Sequence, residues 1–176
     1  MKGAPKSGEF WAKLERDDQR NIVAWHPLNH HCADVAACAS VLLRRTILHD
    51  RFARLMGQDH LEEVQIQRLC ALVALPDAGK ANHGFQRRAH SPSHEGGARS
   101  GHLSPIIDAF DAYRSLPVAE DVLYAVRCDV YDSWVDPQGD KGALPVLMAV
   151  FSHHGRPISA QAHALKQSLW RADALR

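Results

Sequence analysis

The chain has 176 residues, of which 45% are hydrophobic, and a formal net charge of +1. This length fits one domain over 1–176 with a proper core, and the near-neutral charge excludes a strong overall field that would attract nucleic acid or a membrane. The four cysteines show no paired spacing, which indicates reduced core thiols, and no segment approaches the ~20 apolar residues of a membrane span. We therefore expect a cytoplasmic protein that makes no membrane contact.

Apolar residues recur at helical spacing along the chain, whereas the alternation typical of strands is almost absent. The first predicted helix covers 34–48. A loop rich in Gly, Ser, His and Pro is predicted at 87–102. Later helices are predicted over 105–116, 119–135, 143–153 and 159–174. The expected fold class is all-α, a bundle of about six or more helices.

The clearest helix is predicted over 59–75, with Asp59 as its N-cap and Pro76 at its end. Pro76 is also expected to move Leu75 away from helical geometry. One side of this helix is expected to be apolar and to contain Leu61, Val64, Leu69, Leu72 and Val73.

Histidine is the compositional outlier, with twelve residues. Four histidines and one carboxylate lie where predicted helices begin or end, which is where a bundle can direct side chains into one cleft. They are His31, Asp77, His102, His153 and His154. Imidazole suits Mn, Fe, Co, Ni and Zn, and a carboxylate can bridge two ions, so the set is compatible with metal-assisted phosphodiester hydrolysis. Each residue alone is more often an ordinary surface or turn residue, and only the order of the set is specific.

Several elements in a fixed order carry a resemblance to a known family. They are Trp11-Ala12-Lys13, His26-Pro27-Leu28, His31-Cys32-Ala33-Asp34-Val35, Leu75-Pro76-Asp77-Ala78-Gly79-Lys80 with Phe85-Gln86, Gly101-His102-Leu103-Ser104, and His153-His154-Gly155. In this order the chain resembles the HD nuclease domain of CRISPR-associated type I helicase-nucleases over about residues 10–157. The resemblance implies an all-α HD-domain bundle with a metal cleft.

The resemblance also implies a function, cofactors and partners. The function is cleavage of single-stranded DNA in antiviral interference, with two divalent transition-metal ions (Mn, Fe, Co or Ni, with Mg as an alternative). The partners are a CRISPR helicase subunit or domain, which delivers the strand, and a guide-RNA surveillance complex, which selects it by base pairing. Asp77 and Lys80 are the implied catalytic residues, Lys80 by neutralising a phosphate oxygen. An exposed lysine in a turn is an equal alternative for Lys80, and Asp34 is expected to orient His31, to cap a helix, or to do both.

Two departures from the family pattern affect one half of the implied metal centre. Pro76 lies where the family has the histidine of its His-Asp doublet, and proline offers a metal no donor. The family's late Asp has no counterpart, since Asp173 follows His154 too soon; a fragment of a longer polypeptide would show the same loss. The metal that would use His31 and Asp77 therefore loses two ligands. The ligands of the other metal, Asp77, His102, His153 and His154, are all present, and we predict one competent site and one impaired site.

Three functions remain open. The first is a metal-dependent DNA endonuclease or exonuclease, which the Trp-Ala-Lys and Phe-Gln elements favour. The second is a non-catalytic or impaired HD-domain remnant that keeps its fold and partner contacts, which Pro76 and the short C-terminal region favour. The third is an HD nucleotide phosphohydrolase, which a deep closed pocket with a base-specific wall would favour.

Overall fold

The computed structural model describes residues 1–6, 8–89, 100–112, 121, 124, 127–135 and 144–152. A β-hairpin of β1 (Trp11–Arg16) and β2 (Ile22–Pro27) precedes the helices. The helices are α1 (Leu28–Arg45), α2 (Leu48–Leu55), α3 (Glu63–Ala74), α4 (His83–Gln86), α5 (Leu103–Ala112), α6 (Cys128–Val135) and α7 (Leu144–Phe151). Two 3₁₀ segments, Leu75–Ala81 and Arg87–Ala89, flank α4. Within the described ranges, no helix is long and apolar enough to cross a membrane.

The hairpin corrects the expectation of an all-α fold, although the described chain is mostly helical as predicted. β1 and β2 pair antiparallel, with Leu14 opposite Trp25. The register shifts between Trp11 and Lys13, and as a result the consecutive residues Trp11 and Ala12 are both buried. Such an irregularity breaks the two-residue period of a strand, so the alternation expected of a strand is absent from the sequence.

Helix α1 begins at Leu28, directly after β2, and not at Asp34 as predicted. Pro27, with φ −59° and ψ 142°, is the residue at its N-cap and has no N–H that would need a partner. The helix ends before Thr46, whose backbone is extended and whose hydroxyl donates to the Leu42 carbonyl. Asp34 therefore lies inside the helix, and its predicted capping role is wrong.

Helix α3 begins at Glu63, later than predicted, because Glu62 and Gln65 form a reciprocal capping box at its start. Asp59 is not the cap. The buried residues of the helix are Ile66, Cys70 and Leu72. Val64 and Val73 were predicted on this face but are half exposed, whereas Leu61 is buried just before the helix begins.

Pro76 changes the helix type without breaking the chain's helical path. Leu75 keeps φ −58° and ψ −40°, so the prediction that it leaves helical geometry is wrong. Its N–H still donates to the Ala71 carbonyl. Pro76 has no N–H with which to continue the hydrogen bonds of the α-helix. The backbone therefore continues as the 3₁₀ segment Leu75–Ala81, and Pro76 lies near its start, where a proline is tolerated. This segment carries Asp77 and Lys80.

Three apolar clusters hold the described elements together. One joins α3 and the first 3₁₀ segment to α5, α6 and α7, and its members Ile106 and Phe151 are fully buried. A second joins α1, α2 and α3. The third packs Trp11 and Trp25 of the hairpin on Phe85. The 3₁₀ segment Leu75–Ala81 follows a helix shared by two of these clusters, which fixes its position.

The remaining sequence predictions are met in part. Helices α6 and α7 lie inside the predicted ranges 119–135 and 143–153, and α5 overlaps the predicted range 105–116 but begins two residues earlier, at Leu103. The predicted helix 159–174, residues 90–99 of the predicted loop, His153 and His154 lie outside the described residues. Three cysteines with described side chains are free, Cys70 buried, Cys32 half-buried and Cys38 exposed, so among these three the predicted core position holds only for Cys70.

Candidate functional site

His31, Asp77 and Lys80 meet where α1 packs on the 3₁₀ segment, and we call these three residues the Asp77 cluster. Asp77 Oδ2 lies 3.0 Å from His31 Nε2, and Asp77 Oδ1 lies 2.5 Å from Lys80 Nζ. The side chains of His31, Asp77 and Lys80 are 10%, 16% and 11% exposed. Lys80 is therefore a buried partner of Asp77, and its interpretation as an exposed turn lysine is wrong.

The charges of the cluster set its protonation. Burial acts to raise the pKa of Asp77, but the hydrogen bond from Lys80 and the charges of Lys80, His31 and His102 outweigh it and lower that pKa. Burial lowers the pKa of His31, and the charge of Lys80 adds to this effect against the opposing charge of Asp77. Near neutral pH the cluster therefore combines an anionic carboxylate with a neutral imidazole, which are the forms that bind a metal.

His102 lies beside the segment that carries Asp77. A Cβ added to Gly79 would lie 2.0 Å from the His102 carbonyl oxygen and 2.9 Å from its carbon, so the two backbones touch only because residue 79 is glycine. The His102 ring packs on Phe85 in a T-shaped arrangement with centroids 5.9 Å apart. Two separate predicted ligands, Asp77 and His102, thus lie on adjoining backbone segments.

Two side-chain amides support this arrangement: Asn82, which the sequence prediction did not use, and Gln86, which it used only as part of the Phe85-Gln86 motif. Asn82, fully buried, donates through Nδ2 to the carbonyls of Gly79 and Gly101 and accepts from the Phe85 N–H. Its position before α4 gives one signal of this role, because asparagine is a preferred N-cap residue. The second amide is Gln86, which joins β1 to the 3₁₀ segment through hydrogen bonds to Trp11 and to the Lys80 carbonyl.

Asp34 contacts a different histidine from the one expected. Its Oδ2 lies 3.0 Å from Nε2 of His26, a close contact without hydrogen-bond geometry. The side chain of Asp34 is 68% exposed, and it does not orient His31, whose Nε2 faces Asp77. The His26 ring packs edge-on against the His31 ring, with centroids 5.9 Å apart.

A groove of about 450 Å³ opens beside the Asp77 cluster. Its polar lining comes from Lys13, His26, His31 and Asp34, and its apolar lining from side chains of α1 and α3. The apolar side chains are Val35, Cys38, Ala39, Leu42 and Val73. The groove gives a ligand access to His31, and its wall is largely aliphatic.

The described donors fit part of a metal site. The 3.0 Å between His31 Nε2 and Asp77 Oδ2 is close to the spacing of about 3 Å between neighbouring donors on a six-coordinate ion with bonds of about 2.1 Å. Pro76 is buried next to Asp77 and contributes no donor. In the part of the chain that the structure describes, no group of three or more His, Cys, Asp and Glu side chains is arranged to hold an ion.

The chain matches the family model described as "Cas3, HD domain" over residues 11–175. The match covers nearly the whole sequence, so the protein belongs to this family, the HD domain of Cas3-type CRISPR helicase-nucleases. The resemblance carried by the ordered motifs is thereby confirmed. HD domains of this type are typically phosphodiester hydrolases, and HD domains generally bind divalent metals. No curated protein and no solved structure matches the chain.

Proposed function

We propose that this chain is a metal-dependent nuclease that cleaves single-stranded DNA in CRISPR interference. The observation that carries the proposal is the Asp77 cluster itself, a nearly buried anionic carboxylate between a neutral imidazole and an ammonium group. A carboxylate and an imidazole at this spacing are suitable ligands for a transition-metal ion, and family membership supports phosphodiester hydrolysis as the chemistry.

The metal ligands would be Asp77 with His31, His102, His153 and His154, and a bound ion would acidify a water molecule so that it can attack phosphorus. Nitrogen donors favour Mn, Fe, Co or Ni, with Mg as an alternative. Lys80 keeps Asp77 ionised in the metal-free chain. When a metal binds Asp77, the Lys80 ammonium group would be free to turn from the carboxylate to a phosphate oxygen of the substrate. His31 presents a neutral imidazole to the same carboxylate.

The proposal includes partners that bring the substrate to the site. The formal net charge of +1 gives the chain little long-range attraction for DNA. A helicase subunit or domain would deliver the single strand, and a guide-RNA complex would select it by pairing. The HD domain itself would then need to contact only the backbone of the strand.

One observation favours an impaired enzyme as the second candidate. Pro76 is buried directly before Asp77, at the position of the family histidine, and has no metal donor. Hydrolysis gains from two ions that clamp both the attacking and the leaving oxygen. A chain with one competent site would cut slowly or not at all while it retains fold and partner contacts.

Cleavage of circular single-stranded DNA by the purified chain with Mn²⁺, Co²⁺ or Ni²⁺ tests the proposal. We expect the unmodified chain to cut, Asp77→Asn and His154→Ala to lose at least about 100-fold in rate, and Pro76→His to cut faster. The matched control is His60→Ala. It removes another histidine–carboxylate pair, the exposed His60–Glu62 contact of 2.9 Å, and should leave the rate unchanged.

The other outcomes separate the alternatives. Cleavage by Pro76→His alone would show that the family chemistry is right and that the chain with Pro76 is impaired. Equal rates for Asp77→Asn and His60→Ala would refute the assigned site. If no folded variant cuts DNA but the chain hydrolyses nucleotides or cyclic nucleotides, the third function replaces the nuclease.

A further inference from the structure

Asn82 connects two segments that carry different members of the proposed site. Its side chain is fully buried, and Nδ2 donates to the Gly79 carbonyl at 2.6 Å and to the Gly101 carbonyl at 2.9 Å. Gly79 lies two residues after Asp77, and Gly101 directly precedes His102. One side-chain amide therefore ties the backbone next to Asp77 to the backbone next to His102.

The capping of α4 does not explain why residue 82 has an amide nitrogen. The cap needs only the Asn82 Oδ1 atom, which accepts from the Phe85 N–H at 2.8 Å. Aspartate, serine or threonine would supply such an acceptor equally well. The two donations from Nδ2 satisfy carbonyls outside α4. Among side chains of this length, only that of asparagine combines two N–H donors with an acceptor.

The same residue also fixes the imidazole of His102. By capping α4, Asn82 fixes the start of the turn that carries Phe85, and the Phe85 ring packs on the His102 ring at 5.9 Å. The absence of a side chain at Gly79 lets the His102 carbonyl approach to a distance that a Cβ would block. Backbone and ring of His102 are thus both positioned through Asn82.

The segments would stay joined without the amide, which makes the role testable. The Ser100 N–H donates to the Gly84 carbonyl at 3.1 Å, and this backbone bond does not involve a side chain. Ile106, four residues after His102, is fully buried in the apolar cluster of α5, α6 and α7. Loss of the Asn82 donors should therefore displace His102 while the fold persists.

We propose that Asn82 is a positioning residue that sets the placement of His102 relative to Asp77. Through these two donors it determines how well the site binds a divalent ion. The consequence for metal binding rests on the proposed function, whereas the placement of His102 does not.

The test uses the full chain with Asn82→Ser, which keeps the cap but is too short to reach both carbonyls. Asn82→Asp, of the same size, keeps the cap and loses both donors. The control is Asn21→Ser, at an exposed turn asparagine that contacts Asp17. The first readout is the NMR spectrum of the histidine imidazoles in metal-free protein, with the His102 signals assigned from His102→Gln.

We expect both Asn82 variants to shift the His102 imidazole signals, because the ring moves relative to Phe85, and the control to leave them in place. The second readout is Co²⁺ titration. We expect affinity to fall about tenfold in Asn82→Ser, and His102→Ala to cause little further loss in that background.

Unchanged His102 signals in folded Asn82→Ser would overturn the proposal, as would losses of Co²⁺ affinity that add fully to those of His102→Ala. Failure of both Asn82 variants to fold would also overturn it, since the role would then be structural. If the unmodified chain binds no Co²⁺, the proposed function fails, but the NMR comparison still decides whether Asn82 positions His102.

Discussion

Gly79 is the residue at which the Asp77 and His102 segments come closest. A methyl group there would lie 2.0 Å from a backbone oxygen, which cannot rotate away. Gly101 has no atom within 4 Å of the corresponding point. The requirement for glycine at position 79 is therefore steric and local, and it separates two glycines that look equivalent in the sequence.

We predict that Gly79→Ala lowers the free energy of unfolding by about 1–3 kcal/mol, the usual range for overpacking. Gly101→Ala should change the free energy of unfolding by less than about 0.5 kcal/mol, because no atom lies within 4 Å of the added methyl group. Urea unfolding of the two variants beside the unmodified chain measures both effects. Equal stability of the two variants would mean that the close approach at Gly79 is wrong.

Individual residues of the site were predictable to different degrees. The ordered motifs identified His31 and Asp77, whose side chains do meet. The burial of Lys80 could not be predicted from its sequence context, since a lysine in a Gly-containing turn is usually solvated. It is buried because the Asp77 carboxylate on the same 3₁₀ segment pairs with it. The roles of His153 and His154 remain predictions.

At the scale of elements, one glutamine adds hydrogen bonds to the apolar packing of Trp11 and Trp25 on Phe85 that joins the hairpin to the helical part. Gln86 Oε1 accepts from the Trp11 N–H at 3.0 Å, and Nε2 donates to the carbonyls of Trp11 at 2.9 Å and Lys80 at 2.7 Å. The Trp11 indole N–H returns a bond to the Gln86 carbonyl at 3.1 Å. Because it also holds the Lys80 backbone, Gln86 couples β1 to the segment of the Asp77 cluster.

Gln86→Glu should destabilise the chain by about 2 kcal/mol at neutral pH, because two hydrogen bonds are lost and a carboxylate faces two carbonyl oxygens. Those oxygens raise the folded-state pKa of the introduced carboxyl above its unfolded value of about 4.3. The deficit relative to the unmodified chain should therefore shrink as the pH falls through that raised pKa, since the protonated form can donate again. Paired denaturation curves from pH 7 to pH 4 provide the measurement, and a constant deficit would contradict the assigned donors.

The start of α3 and the hairpin were predicted incorrectly and the buried face of α3 was predicted only in part, each for a different physical reason. The capping box at Glu62 and Gln65 is a local signal, but the sequence prediction placed the cap three residues earlier, at Asp59, because aspartate is a preferred N-cap residue. The hairpin was missed since a shift of register at Trp11 hides the strand period. The buried face of α3 depends on how it packs against α1, which no local pattern specifies.

For the whole molecule, the Asp77 cluster bears on stability as well as on chemistry. It lies between α1 and the 3₁₀ segment, close to the apolar clusters on both sides of α3. A nearly buried carboxylate without a partner would be costly there, and Lys80 supplies the compensating charge within the chain. The pair should make the fold independent of a bound metal.

We predict that a chelator leaves the thermal unfolding of the unmodified chain almost unchanged. Lys80→Met should destabilise metal-free protein by about 3 kcal/mol, because it leaves the Asp77 charge nearly buried and unpaired, and Co²⁺ should restore part of that loss. The control is Arg44→Met, which removes the exposed Arg44–Glu63 pair and should cost less than about 1 kcal/mol. Equal losses from the two variants, or melting of the unmodified chain on chelation, would refute the compensating role of Lys80.

The ion pair between Lys80 and Asp77 also affects the order in which folding and metal binding would occur. Because Lys80 neutralises the Asp77 carboxylate, the chain can fold straight after synthesis without a bound ion. If the domain binds a metal as proposed, loading would be a later and reversible step, in which the incoming ion competes with the Lys80 ammonium group for the Asp77 oxygens. Under the proposed function, the metals available at that later time would influence which ion is bound, together with the donors of the site, and an emptied domain could be refilled without new synthesis.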